Sequence, residues 1–191
     1  MLQVNEIFYS FQGEGTHTGI PAVFVRLAGC NLSCRFCDTD YSLKALLGVD
    51  DVLAQVQTLS PECPTVILTG GEPLAQTQTP DLIDALARNG RRVHIESNGT
   101  VPVPLSEDVW LTVSPKERLH SSMAARANEI KLIVDERVPL EWLDQFPLAT
   151  PAFLQPENNK PKNVALAMAA IAANPKRLRL SVQTHKLVGA R

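Results

Sequence analysis

Three cysteines lie close together in the stretch Gly29-Cys30-Asn31-Leu32-Ser33-Cys34-Arg35-Phe36-Cys37-Asp38, with C-x3-C-x2-C spacing. Thiolates from so short a loop can converge on one inorganic cluster. Four cysteines saturate a 4Fe–4S cube, whereas three leave one iron free for a small molecule. An open coordination position points to chemistry rather than to structure. A structural zinc ion would need a fourth ligand. Cys63 could supply it, but it precedes an apolar run in Pro61-Glu62-Cys63-Pro64 and reads as a buried small hydrophobe. His17 has no spacing that recommends it, and a Cys34–Cys37 redox pair would leave Cys30 unexplained. The spacing favours the open cluster over zinc, and zinc over a redox pair. A second group, Gly70-Gly71-Glu72-Pro73, follows another apolar run. Its glycines let backbone approach a ligand closely. On its own this group reads as a tight turn.

The elements that must position these groups are short. Apolar, strand-length runs fall at 22–27, 65–69, 92–96, 109–113, 130–134, 152–154 and 178–182. Nearly continuous apolar character suits strands buried on both faces of a parallel sheet. Helical patterns lie between several of them, at 50–59, 80–89, 139–146 and 163–173. Thr79 is the expected cap of the second and Gly90 its stop. Alternation of strand and helix implies βαβ units. The helices are too few and short for an eight-fold barrel, so the expected class is α/β, an open partial (β/α) barrel over a single domain, 1–191. Ligands in such sheets sit at the carboxyl ends of the strands. The residues just after the runs agree: the Cys30 loop, Gly70-Gly71-Glu72, Ser97-Asn98-Gly99, Ser114-Pro115-Lys116 and Gln155-Pro156 are all polar, glycine-bearing or metal-binding.

The bulk properties set the surroundings. The chain has 191 residues, 45% of them hydrophobic, and a formal net charge of −2. This balance gives no bulk electrostatic reason to bind nucleic acid. No apolar run is long enough to span a bilayer, and no signal-peptide pattern opens the sequence, so neither a membrane nor export is expected. Clustered thiols without an export signal read as metal or redox groups in the cytoplasm.

The cysteine spacing, the aromatic Phe36 before the last cysteine and the GGEP group resemble the radical S-adenosylmethionine (SAM) superfamily. Within it, Glu6-Ile7-Phe8-Tyr9-Ser10-Phe11-Gln12-Gly13-Glu14-Gly15, Gly19 to Leu27, Cys37-Asp38-Thr39, Glu96-Ser97-Asn98-Gly99 and Gln183-Thr184-His185-Lys186 resemble the 7-carboxy-7-deazaguanine synthase family. The resemblance covers nearly the whole chain. It implies a carbon–nitrogen lyase of queuosine biosynthesis, a tRNA-base modification pathway. Such an enzyme rearranges 6-carboxy-5,6,7,8-tetrahydropterin to 7-carboxy-7-deazaguanine with loss of ammonia. A SAM-derived radical removes a hydrogen from the carbon bearing the carboxylate and later returns it.

The resemblance also implies residue roles. Cys30, Cys34 and Cys37 hold the 4Fe–4S cluster. Phe11, Gln12, Gly13, Arg26, Thr69 and Arg191 meet the pterin, with Arg26 as a bidentate fork on its carboxylate and Arg191 acting through its own carboxylate. Phe36, Cys37, Asp38, Gly70, Gly71, Glu72, Ser114, Pro115, Lys116 and Gln155, Pro156, Glu157 and Asn158 border SAM, with the backbone of Gly70–Glu72 at its methionine ammonium and the Glu72 carboxylate offered to the same group. Thr39 is a Mg²⁺ ligand. The expected partners are the pterin, an electron donor such as flavodoxin or ferredoxin, and a second copy in a homodimer. From the residues alone, Arg26 could instead form a structural ion pair with Glu14 or another acid, and Thr39 could cap the next segment. His185 reads as a surface histidine. The alternatives to the synthase are a glycyl-radical-enzyme activase and a non-enzymatic iron–sulfur electron carrier.

Overall fold

A computed structural model describes residues 1–191. Its frame is one nine-stranded sheet, not closed, with β1 (Leu2–Phe11), β2 (Pro21–Leu27), β3 (Ala45–Leu47), β4 (Thr65–Gly70), β5 (Arg92–Ser97), β6 (Trp110–Val113), β7 (Glu129–Val134), β8 (Ala152–Pro156) and β9 (Leu178–Leu180). The spatial order is β3-β1-β2-β4-β5-β6-β7-β8-β9. From β2 to β9 every pairing is parallel, while β1 pairs antiparallel with both β2 and β3. Helices α1 (Val49–Leu59), α2 (Thr79–Arg88), α3 (Ser121–Arg126), α4 (Pro161–Ala173) and α5 (Thr184–Leu187) fall between or after the strands. The expected open α/β barrel is therefore the one observed.

Alternation along each strand divides the side chains between two faces. Val23, Val25, Val66, Leu68, Val93, Ile95, Leu111, Val113, Ile130 and Leu132 join Val52, Val56, Leu82 and Leu86 of α1 and α2 in one buried apolar cluster. Their alternates, Arg26, Thr69, Glu96, Ser114 and Lys131, line a cavity on the other face. The hydrophobic effect thus acts mainly between the sheet and its helices, and the concave face is left to polar groups.

Several expectations are corrected. β1 and β3 add an antiparallel edge beyond the seven expected strands. Pairing of β1 with β2 shifts register between Val4 and Glu6. The bulge at Asn5 breaks the alternation that would have marked a strand. Thr79 is not the cap of α2: Gln78 holds that position, and the Thr79 hydroxyl donates to the Pro73 carbonyl at 2.5 Å. The segment expected to be helical at 139–146 is a 3₁₀ turn over Leu140–Gln145.

The base of the concave face is plugged by rings. His17 packs on Trp110 at a centroid separation of 4.2 Å and meets His94 edge-on at 5.3 Å. The Thr112 hydroxyl donates to Glu129 at 3.0 Å, so His94 Nε2, 2.9 Å from that hydroxyl, is the donor and carries the hydrogen. This makes His94 a neutral Nε2–H imidazole. Burial holds its pKa well below the ordinary value, helped by positive charge on His17 and Lys131. The unfolded chain takes up a proton near pH 6.5, roughly the free-imidazole value, and the folded chain does not. Stability from this group is therefore complete above that pH and is lost as pH falls, by up to about 1.4 kcal/mol per pH unit. Urea unfolding followed by circular dichroism between pH 7 and 5 should show a shallower decline for His94→Gln than for the parent. Equal slopes would mean that His94 takes up its proton inside the fold.

Candidate active site

The cavity on the concave face has a volume of about 660 Å³, within the range of small-molecule sites. Cys30, Cys34 and Cys37 all reach it, and all three are free thiols. Their loop leaves the carboxyl end of β2 and lies against the loop after β4. Glu72 N–H donates to the Gly29 carbonyl at 3.1 Å, and Gly71 N–H donates to the Leu27 carbonyl at 3.4 Å. A Cβ on Gly71 would overlap the Gly29 carbonyl and crowd Cys30 Cβ, while Gly70 adopts φ +131 against the Leu27 backbone. The two glycines therefore serve this close approach of two loops as well as any ligand.

Glu72 corrects an expectation. Its carboxylate is fully buried and points into the protein. One oxygen accepts from Leu74 N–H and the Ser97 hydroxyl, both at 3.0 Å, and the other accepts from Asn98 N–H at 2.7 Å. Burial raises its pKa, against these hydrogen bonds. Glu72 ties the loop after β4 to the loop after β5, so its carboxylate does not reach a ligand's ammonium. Pro115 and Pro156 likewise do not line the cavity, although their neighbours Ser114, Lys116, Gln155, Glu157 and Asn158 do.

The other expected site residues are brought together. Phe11, Gln12, Gly13, Arg26, Thr69 and Arg191 face the same cavity as Phe36, Asp38, Thr39, Gly70 and Gly71. Arg26 pairs with Glu6, not Glu14: Nε lies 2.9 Å from Glu6 Oε1. Lys116 lies 5.6 Å from the Phe36 ring centroid and donates to the Ser114 hydroxyl. Burial, and then repulsion from Lys131, push the Lys116 pKa down to about 8. The Asp38 carboxylate is held from the far side by Lys186 Nζ at 2.5 Å and Gln183 Nε2 at 3.3 Å.

The floor of the cavity was not foreseen. Lys131 Nζ sits 2.6 Å from Glu14 and 2.7 Å from Glu96, with the three side chains only 10% to 14% exposed. Gln12 Nε2 donates to the other Glu96 oxygen at 3.0 Å, and Gln183 Nε2 donates to the other Glu14 oxygen at 3.2 Å. Burial raises the Glu96 carboxyl despite Lys131. For Glu14, burial is outweighed by Lys131, and the carboxyl ends below its ordinary value. His185 also lines the cavity, its ring filling the space that a Cβ on Gly13 would need. The only signal in the sequence was charge in the middle of strands otherwise carried by apolar residues at alternate positions: Lys131 in Glu129–Val134 and Glu96 in Arg92–Ser97.

The donor set fits an iron–sulfur cluster. Three thiols share one wall, backed by a glycine loop, and no three Cys, His, Asp or Glu side chains are close enough to hold a single metal ion. A cube spreads its cysteine sulfurs farther apart than one zinc ion would. Sheet, cysteine loop and glycine loop together make this the fold and site of a radical SAM enzyme, and the Radical SAM superfamily model matches residues 24–115. The 7-carboxy-7-deazaguanine synthase of Bacteroides thetaiotaomicron is 45% identical over 191 residues, covering 100% of both chains. That of Neisseria meningitidis serogroup B is 36% identical over 98% of this chain and 93% of its own. The crystal structure of QueE from Escherichia coli superposes with a TM-score of 0.81 at 32% identity, covering 96% of this chain and 94% of that one. The chain belongs to the 7-carboxy-7-deazaguanine synthase family. No helix is long and apolar enough to cross a membrane.

Replacing Cys30, Cys34 or Cys37 by Ala should abolish the brown chromophore and all SAM cleavage after anaerobic iron–sulfide reconstitution. Cys63→Ala should leave both intact, because the Cys63 thiol is buried 3.4 Å from the Pro21 carbonyl, away from the cavity. Iron content that fell with Cys63→Ala would reassign the ligands.

Proposed function

We propose that the chain converts 6-carboxy-5,6,7,8-tetrahydropterin to 7-carboxy-7-deazaguanine with release of ammonia. The observation that carries this reading is a single cavity with three free thiols on one wall and the unpartnered outer edge of Arg26 on another. Family membership supports it over an activase, and the cavity itself is superfluous to an electron carrier. When bound, the cluster and SAM supply a radical that removes a hydrogen from the substrate.

The chain's own residues do the rest. Arg26 presents both terminal nitrogens, which make no hydrogen bond within the protein, to the substrate carboxylate as a planar fork. The amino and ring N–H groups of a pterin are donors, and the floor offers acceptors: Glu96, Glu14 and Gln183 Oε1, a buried oxygen without a partner. Thr69 and the Phe11–Gly13 turn close the sides. SAM is assigned to the opposite wall, against Gly71, Lys116 and the loop after β8.

A Mg²⁺ ion is assigned to Thr39, a half-buried residue that lines the cavity just after the cysteine loop. Lys186 and Gln183 both take Asp38 Oδ2, while Asp38 Oδ1 lies 3.5 Å from the Thr39 hydroxyl, so the remaining ligands would be this oxygen, water and the substrate carboxylate, as suits a hard cation. The electron donor is proposed to be a flavodoxin or ferredoxin approaching the exposed Cys37 side of the loop, and anaerobic cluster bleaching by each reads this out. A homodimer is favoured by Leu43 and Leu46, exposed at the sheet edge beside β3; light scattering measures it. Iron-bound thiolates suit the reducing cytoplasm.

The reading is tested by anaerobic incubation with the pterin, SAM and dithionite, following product mass and ammonia. A deazapurine is expected, with turnover raised by Mg²⁺ and most of that stimulation lost in Thr39→Val. No deazapurine would refute the reading. Equal stimulation of Thr39→Val and the parent would remove Thr39 as the metal ligand.

A further inference from the structure

Resting on the assignment of Arg26 to the substrate carboxylate, we propose that Glu6 is the positioning residue that aims the arginine fork into the cavity and fixes Arg191 beside it. Glu6 lies on β1 opposite Arg26 on β2, in direct register across the antiparallel pair. One carboxylate oxygen takes the Arg26 Nε–H at 2.9 Å. That bond uses the inner edge of the guanidinium and leaves the outer edge, with its two parallel N–H donors, facing the cavity. The other oxygen takes the guanidinium of Arg191. Both cations lie near the same Phe8 ring, at 5.8 Å and 5.1 Å from its centroid, and Phe8 is itself stacked on Phe24 at 5.1 Å. The Ser10 hydroxyl, two turns of the pleat further along β1, holds the main-chain oxygen of Arg191 at 2.7 Å.

Two effects of Glu6 on an anionic ligand oppose each other. Its negative charge, beside Arg26, weakens the attraction of the site for a carboxylate. Its geometry removes the rotational freedom of a long side chain before the ligand arrives, which otherwise has to be lost on binding. The Arg26 side chain is mostly buried, at 22% exposure, and its guanidinium makes no other hydrogen bond in the protein. Without Glu6, only the Phe8 face would orient the guanidinium, and its fork would turn freely. The geometric effect therefore wins. An acceptor at this position matters more than a charge, and Glu6→Gln should retain most of what Glu6→Ala loses.

The test is equilibrium binding of two fluorescent probes, 6-carboxypterin and pterin, to the anaerobic holoenzyme with SAM present, alongside melting temperature. Glu6→Ala should weaken 6-carboxypterin about tenfold, equivalent to about 1.4 kcal/mol, and leave pterin unchanged. Glu6→Gln should lie within about threefold of the parent, a difference of under 1 kcal/mol. Adding Glu6→Ala to Arg26→Ala should cost less than Glu6→Ala costs the parent, because the part exerted through Arg26 is already gone and only the part through Arg191 remains. Equal weakening of both probes would assign Glu6 a merely structural role and overturn the proposal. So would tighter 6-carboxypterin binding by both Glu6 variants, which would mean that charge attenuation is its main effect. A parent that binds the two probes equally would instead overturn the assignment of Arg26 to the carboxylate, and the proposal with it. Formation of the deazapurine by that same parent would leave the proposed reaction standing.

Discussion

Lys131 lies between two carboxylates at 2.6 Å and 2.7 Å, in a place that water scarcely reaches. Taking three charges out of water costs several kcal/mol for each ion and is offset only by close, well-satisfied geometry. The geometry here meets that demand, since the second oxygen of each carboxylate is held by a glutamine amide. The three partners come from distant parts of the chain: Glu14 from the loop between β1 and β2, Glu96 from β5 and Lys131 from β7. The bridge pins the Phe11–Gly15 turn across the concave face and so defines the floor of the cavity. Gln183 carries the connection on to Asp38 at 3.3 Å, behind the last cysteine. Floor, cysteine loop and α5 are linked through this one arrangement of charge.

The division of the sheet into two faces makes that arrangement possible. Helices cover one face with an ordinary apolar core, which supplies the folding free energy. The other face can then carry Arg26, Thr69, Glu96, Thr112 and Lys131 without weakening the core. The loops at the carboxyl ends are stitched to one another: Glu72 receives the Ser97 hydroxyl and Asn98 N–H, and Asn98 reaches Asn31 of the cysteine loop at 3.0 Å. The loop that has to hold a cluster is thus anchored by backbone and by a buried carboxylate rather than by apolar packing.

Much of this was legible in the residues. The seven parallel strands announced themselves because strands covered by helices read as apolar runs. The cysteines, the glycine pair and Arg26 were legible because their spacing or chemistry is unusual. β1 escaped notice because a bulge at Asn5 disrupts its alternation and because its concave side carries Glu6 and Ser10. The inward turn of the Glu72 carboxylate is not legible, because a motif gives a residue's place in the chain but not the direction of its side chain. The Lys131 bridge left only charge within two strands as its trace, and the pairing itself is not legible, since the partners are 117 and 35 residues apart in sequence. The register of β5 against β6 and β7 brings Glu96 to Lys131, and the turn after β1 brings Glu14. Arg26 was expected to find an acid, and the antiparallel pairing of β1 decided that it is Glu6.

The Lys131 bridge is the element that holds the floor of the site. The most direct measurement is equilibrium unfolding of Lys131→Met beside the parent at pH 7, with 6-carboxypterin affinity measured on the same samples. Removing the ammonium leaves two buried carboxylates facing each other, a loss of about 3–5 kcal/mol by comparison with other broken buried pairs. The account predicts a loss of that size together with weakened pterin binding. A Lys131→Met protein as stable as the parent, binding the pterin equally well, would contradict it.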